Sequence, residues 1–261
     1  MTLLKVLLLQ LELGVAVSSV SLQKRIIGGQ NCKDDERHYH VKVYRYDHTK
    51  YEICGGSLIS DQWVLTAAHC WNSNPGWANE AHVGLHPNRG RRNIYPITQR
   101  EVYRDSNSRE HDIMLLKLQS KTTIQPVKLP DCPDTLPLGT KVQLAGYGDV
   151  RVGPFNKRIT HRPNDLQCAE FNIGKHEKLE ELLAKDEDFE FSYQKWYSVS
   201  SSKKDTSFGD SGGGFVFLFK NRLFGICVFT GDPLYALTAP SAFLDVCAYK
   251  KWIDDTINQN P

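Results

Sequence analysis

Short apolar runs with interleaved polar positions recur along this chain, and clusters of Gly, Pro, Asp and Asn separate them. The pattern predicts strands at His40 to Tyr46, Cys54 to Ile59, Trp63 to Thr66 and Ile113 to Leu118. Further strands are expected at Lys141 to Ala145, Gly214 to Phe219, Leu223 to Phe229 and Ala242 to Val246. Many short strands with turn signals between them make an all-β chain, compatible with a pair of barrels. Two stretches carry helical spacing instead. Ala248 to Asn258 predicts an amphipathic helix with Trp252, Ile253 and Ile257 inward. Gly174 to Asp188 predicts a charged helical segment with Leu179, Leu182 and Leu183 on one side, covering the second barrel. There is no internal repeat.

The apolar run at the N-terminus has a different character. Lys5 precedes Val6 to Leu9, and the small residues Gly14 to Ser18 follow. Residues 1–18 therefore read as a signal peptide, although Glu12 interrupts the apolar run. No other stretch is long and apolar enough to span a bilayer, so the expectation is a secreted, extracellular protein with no membrane contact. The formal net charge of +2 changes little. Setting aside Lys5, Lys24, Arg25 and Glu12 leaves basic and acidic residues equal in number. No nucleic-acid partner is expected, and the local cluster Arg89, Arg91 and Arg92 reads as a solvated loop. Seven cysteines in a secreted chain suggest three disulfides and one free thiol.

The chemistry concentrates in Gly209-Asp210-Ser211-Gly212-Gly213. Glycines on both sides of a serine suit a tight turn rather than a strand or helix. Such a turn holds the hydroxyl out and leaves the amides of Gly209 and Ser211 free to donate, which is what acyl transfer needs. A base and an orienting acid are present elsewhere. His69 follows the apolar run Trp63-Val64-Leu65, and Asp112 opens the run Ile113 to Leu116. The order His69, Asp112, Ser211 is one of the known chain orders for this constellation.

With Ile26-Ile27-Gly28-Gly29, Thr66 to Cys70, His111 to Leu116 and Gly209 to Gly213 in order, the chain resembles the trypsin/chymotrypsin family of serine peptidases from about Ile26 onward. The resemblance implies two six-stranded antiparallel β-barrels with the site at their junction. Their halves would be about 26–135 and 136–247, with a helix over 248–258 and the exchange between barrels near Pro130 to Gly139. It implies His69, Asp112 and Ser211 as the catalytic residues and the amides of Gly209 and Ser211 as the oxyanion hole. It implies an activation propeptide at 19–25, cut after Arg25, so that the new amino group of Ile26 pairs with Asp210. It also implies three bridges, Cys54–Cys70, Cys32–Cys168 and Cys132–Cys247. Three further family bridges are missing: Val142 and Phe217 stand at one pair of positions, and Trp196 and Ser207 at one end of each of the others. Cys227 is left over, as a buried thiol in a strand.

The same resemblance places a substrate pocket at Asp205, Phe208, Val228, Phe229, Thr230 and Ser241. Asp205 stands where an acid favours cleavage after Arg or Lys. The pocket departs from the family pattern at Val228, Phe229, Thr230 and Ser241, and Lys203 and Lys204 stand beside Asp205 as candidate partners. The expected function is a secreted serine endopeptidase made as a zymogen and preferring Arg or Lys. The alternative is a non-catalytic or weakly active homologue acting as a secreted binding protein. No metal and no cofactor are expected, since Val83 to Asn93 offers His86, Arg89, Arg91 and Arg92 where the family's calcium loop is lined by carboxylates. Expected partners are protein or peptide substrates, an activating protease and protein inhibitors, with the enzyme itself a monomer.

Overall fold

The computed structural model describes residues 26–88, 92–177, 180–181 and 193–260. Leu179, Leu182 and Leu183 of the expected charged helix, Arg89 and Arg91 of the basic cluster, and residues 1–25 lie outside the described residues.

Two antiparallel sheets of seven strands dominate the described residues, beside a two-stranded hairpin of Arg151–Val152 and Arg158–Ile159. The first runs Asn93–Pro96, Ala78–Val83, His40–Tyr46, Tyr51–Leu58, Trp63–Thr66, Glu110–Lys117 and Gln99–Arg104. Trp63–Thr66 is apolar but for Thr66 and buried at all four positions, because it pairs on both edges at the middle of this sheet. Ala78–Val83 buries Asn79, Ala81 and Val83 in strict alternation. Of its inward side chains only Val83 is strongly apolar, so the strand left little apolar signal in the sequence.

The second sheet runs Gln30–Asn31, Gln167–Gly174, Trp196–Ser200, Ser241–Asp245, Arg222–Phe229, Gly214–Phe217 and Lys141–Gly146. Lys141–Gly146 pairs again with Gln167–Gly174, which closes six of these strands into a barrel. The expectation of two closed six-stranded barrels is thus met by the second half. The first half is a seven-stranded, half-barrel sheet with no closing ladder among the described residues. The chain crosses between the halves in the segment between Lys117 and Lys141.

One core joins the halves. Val216, Leu223, Ile226 and Leu244 of the second barrel pack in the same buried cluster as Val41, Leu65 and Leu115 of the first sheet. The Gly55 amide donates to the Ser211 carbonyl at 2.7 Å, stitching the two halves at the point where the candidate site lies. The C-terminal helix, Lys250–Gln259, buries Ile253 fully and half-buries Trp252 and Ile257, as its spacing predicts.

All three expected disulfides form: Cys32–Cys168, Cys54–Cys70 and Cys132–Cys247. Cys227 is a free, fully buried thiol. Val142 and Phe217, which stand at one pair of missing cysteines, are direct cross-strand partners. Side-chain packing between neighbouring strands replaces a covalent bridge there.

Candidate active site

His69 sits in a single 3-10 turn, Ala68–Cys70, just after the buried strand Trp63–Thr66. The Cys54–Cys70 bridge ties that turn to the neighbouring strand. Asp112 lies near the start of Glu110–Lys117, the partner strand on the other edge. Its carboxylate accepts from the His69 amide at 2.9 Å and from His69 Nδ1 at 2.7 Å. The two bonds use separate oxygens, so the acid fixes both the backbone and the ring. An Nδ1–H directed at the carboxylate leaves Nε2 as the basic nitrogen.

Asp112 is itself buried, and its amide donates to Gln194 Oε1 at 2.9 Å. Gln194 carried no signal in the sequence. It lies 82 positions from Asp112 and outside every motif. Val228, one of the departures from the family pattern, has no side-chain group to hydrogen-bond the acid and lines the cleft.

Ser211 and His69 line one cleft of about 830 Å³, with Gly209, Phe208, Val228, Phe229 and Thr230 in its walls. The turn that presents Ser211 depends on Gly209, whose φ of +100° is open to glycine and strained for any side chain. Among the described residues, neither the Gly209 amide nor the Ser211 amide donates to another backbone group. Arg45 shapes the opposite wall, where it donates to the His69 carbonyl and pairs with Glu52.

Asp210 points the other way, into the protein, and is fully buried. Its carboxylate accepts from the amides of Gly148 and Ser207, each at 2.9 Å. Gly148 permits that approach, since a Cβ there would meet the carboxylate at 2.5 Å. No cation pairs with it among the described residues. Burial pushes the carboxyl up to about 7 against the pull of the two amides, and the nearby Asp149 adds to the rise. Ile26 is completely buried, within the core cluster of the second barrel.

The pocket residues divide. Phe208, Val228, Phe229 and Thr230 line the cleft with Ser211. Ser241 is buried and shares a 2.7 Å hydrogen bond with Thr206. Asp205 lines a separate cavity of about 580 Å³. It is paired, but not with Lys203 or Lys204. Arg158 Nη2 lies 2.7 Å from Asp205 Oδ2, both side chains being buried. The Leu237 amide donates to the same oxygen at 2.8 Å, and the Thr206 amide to the other at 2.9 Å. Burial raises the Asp205 carboxyl, while the Leu237 amide and the Arg158 charge pull it down. A guanidinium and two amides on one carboxylate describe an ionised acid whose valences are filled.

A geometry of this kind can do one thing well. A hydroxyl, an imidazole held by a buried acid, and backbone amides at the hydroxyl's own turn are the parts that acyl transfer uses. The comparisons with known proteins agree. The trypsin family model matches residues 26–253. Glandular kallikrein of Sus scrofa is 29% identical, covering 92% of this chain and 99% of its own length. Kallikrein-2 of Homo sapiens is 30% identical, covering 98% of each. Among solved structures, mouse neuropsin, a serine protease, superposes with a TM-score of 0.68 at 28% identity, over 88% of this chain and 98% of that one. This chain belongs to the trypsin family and is a serine endopeptidase.

Proposed function

We propose that the protein is a secreted zymogen, activated by cleavage after Arg25, that hydrolyses peptide bonds through an acyl-enzyme on Ser211. The observation that carries this reading is the His69–Asp112 pair at 2.7 Å, opening on the same cleft as Ser211 and the unengaged Gly209 amide.

His69 Nε2 takes the Ser211 proton as Oγ attacks the substrate carbonyl carbon. The carbonyl oxygen becomes an oxyanion and accepts from the Gly209 and Ser211 amides. Asp112 stabilises the imidazolium without taking its proton. The C–N bond then breaks, and the amine leaves with the proton from His69. Water enters, His69 takes its proton, and collapse of the second tetrahedral adduct returns that proton to Ser211.

Activation follows from electrostatics. Asp210 is a buried carboxyl with no cation paired to it among the described residues. Cutting after Arg25 creates an ammonium on Ile26, and a buried carboxylate is stabilised by pairing with it. Asp210 sits between Gly209 and Ser211, so the turn that carries both oxyanion donors responds to that pairing. Three disulfides support an oxidising, extracellular location. An activating protease and protein inhibitors are the partners this reading requires beyond substrates, and the enzyme works as a monomer. The resemblance implies an Arg or Lys preference through Asp205, but that acid is already paired with Arg158.

The test is labelling. The recombinant protein is cut with trypsin, the Ile26 terminus is confirmed, and a fluorophosphonate is added beside a Ser211→Ala control. Labelling of the cut wild type alone supports the reading. Absence of labelling in the cut wild type defeats it.

A further inference from the structure

The Arg158 guanidinium uses four of its five N–H donors inside the protein. Nε donates to the Asp232 carbonyl at 2.8 Å, and Nη1 to the Thr206 carbonyl at 2.7 Å. Nη2 donates to Asp205 at 2.7 Å and to the Thr230 carbonyl at 3.1 Å. Thr230 and Asp232 line the cleft that holds Ser211, whereas Asp205 does not. The guanidinium therefore bridges from the cleft wall to the buried acid.

Its backbone is held as firmly. The Arg158 amide donates to the Leu234 carbonyl at 2.9 Å, and Lys157 bridges to Tyr235. The Ala236 amide donates to the Asn156 carbonyl at 2.9 Å. A short hairpin, Arg151–Val152 with Arg158–Ile159, thus lies against the 234–236 segment and delivers the side chain inward.

We propose that Arg158 is a specificity-determining residue: it occupies the basic-residue subsite of its own enzyme, so that the cleft accepts an uncharged side chain at the cleaved residue and rejects Arg and Lys. This rests on the serine endopeptidase reading above and sharpens its substrate class. A substrate guanidinium meets two obstacles. It brings a second cation to a carboxylate that is already paired, or it expels Arg158 and leaves four hydrogen bonds unmade. An uncharged side chain meets neither, and Phe208, Val228 and Phe229 offer it an apolar wall.

The experiment uses the cut enzyme with p-aminobenzamidine, an amidine whose fluorescence reports entry into an acid-based pocket. Peptide substrates with Arg, Leu, Phe or Ala at the cleaved residue accompany it. Arg158→Ala and the milder Arg158→Gln, which keeps a neutral donor beside Asp205, are compared with wild type. Expected are no amidine binding and turnover of an uncharged residue over Arg in the wild type. In at least one variant, amidine binding and a rise in the Arg-to-Leu ratio of kcat/KM of about a hundredfold are expected. Amidine binding by the wild type overturns the proposal. So does binding by no form, which would mean that something other than Arg158 closes the subsite. Fluorophosphonate labelling is run in parallel. If Ser211 is unlabelled throughout, the endopeptidase reading fails, while the amidine comparison still decides what Arg158 does.

Discussion

Two buried acids, five positions apart, solve the same physical problem in opposite ways. Asp205 has a guanidinium at 2.7 Å and two backbone amides. Asp210 has two amides and no cation among the described residues. The first site is complete in the uncut chain. The second is held short of completion, with its carboxyl raised to about 7. A completed ion pair in a buried place is a fixed structural feature, whereas an incomplete one awaits a charge. On the proposals above, the difference separates specificity, assigned to Arg158 within the fold, from activation, assigned to a cut in the chain.

The largest effect expected is on the completed pair. Arg158→Ala or Asp205→Ala alone leaves a buried charge unpaired and lowers stability by about 3–5 kcal/mol. Replacing both, as Arg158→Met with Asp205→Leu, brings the loss close to zero, since buried pairs exchange with apolar residues at little cost. Urea midpoints at constant m-value measure both. Equal losses for the single and double variants would show that the pair is not what matters there.

Next is the pH dependence of the uncut chain. Unfolded, the Asp210 carboxyl titrates near 3.8, and folded near 7, so the folded form holds the proton between those values. Its contribution to stability is full below pH 4 and is lost as the pH rises to 7. That loss is on the order of 4 kcal/mol. Asp210→Asn removes this dependence. The same variant, once cut, offers Ile26 no anion, and the rate of Ser211 labelling falls by about 10²–10³, the scale of one lost oxyanion donor.

The smallest effect concerns Cys227. Burial pushes its thiol well above the usual range, with Asp210, Asp205 and Asp112 adding to the rise. It should remain unalkylated by iodoacetamide in the native protein at pH 8 and react once urea unfolds it, as a mass shift records.

What the sequence made legible follows the range of the forces involved. Trp63–Thr66 was placed to the residue because its burial on both faces writes a continuous apolar run. His69, Asp112 and Ser211 could be singled out because the turn glycines and the flanking apolar runs are local signals, and the fold sets His69 on Asp112 and in one cleft with Ser211. Gln99–Arg104 was missed, because it lies at a sheet edge with no fully buried side chain to mark it. Arg158 was missed for a different reason. It meets Asp205 from 47 positions away, in a stretch with no motif, so only the folded chain brings the charges together. Lys203 and Lys204 were nearer in sequence, yet Asp205 pairs with neither. Local sequence marks where an acid is, and tertiary structure decides which cation reaches it.

The contrast between the two acids is tested most directly by the stability of one protein in two states. The Ser211→Ala chain, uncut and cut after Arg25, is unfolded in urea at pH values from 4 to 7. Other titrating groups, such as the buried His40 pulled down to about 3, are common to both states and cancel in the difference. The account predicts that the uncut chain loses stability across this window, while the cut chain, with Ile26 paired to Asp210, loses far less. Superimposable curves would contradict it.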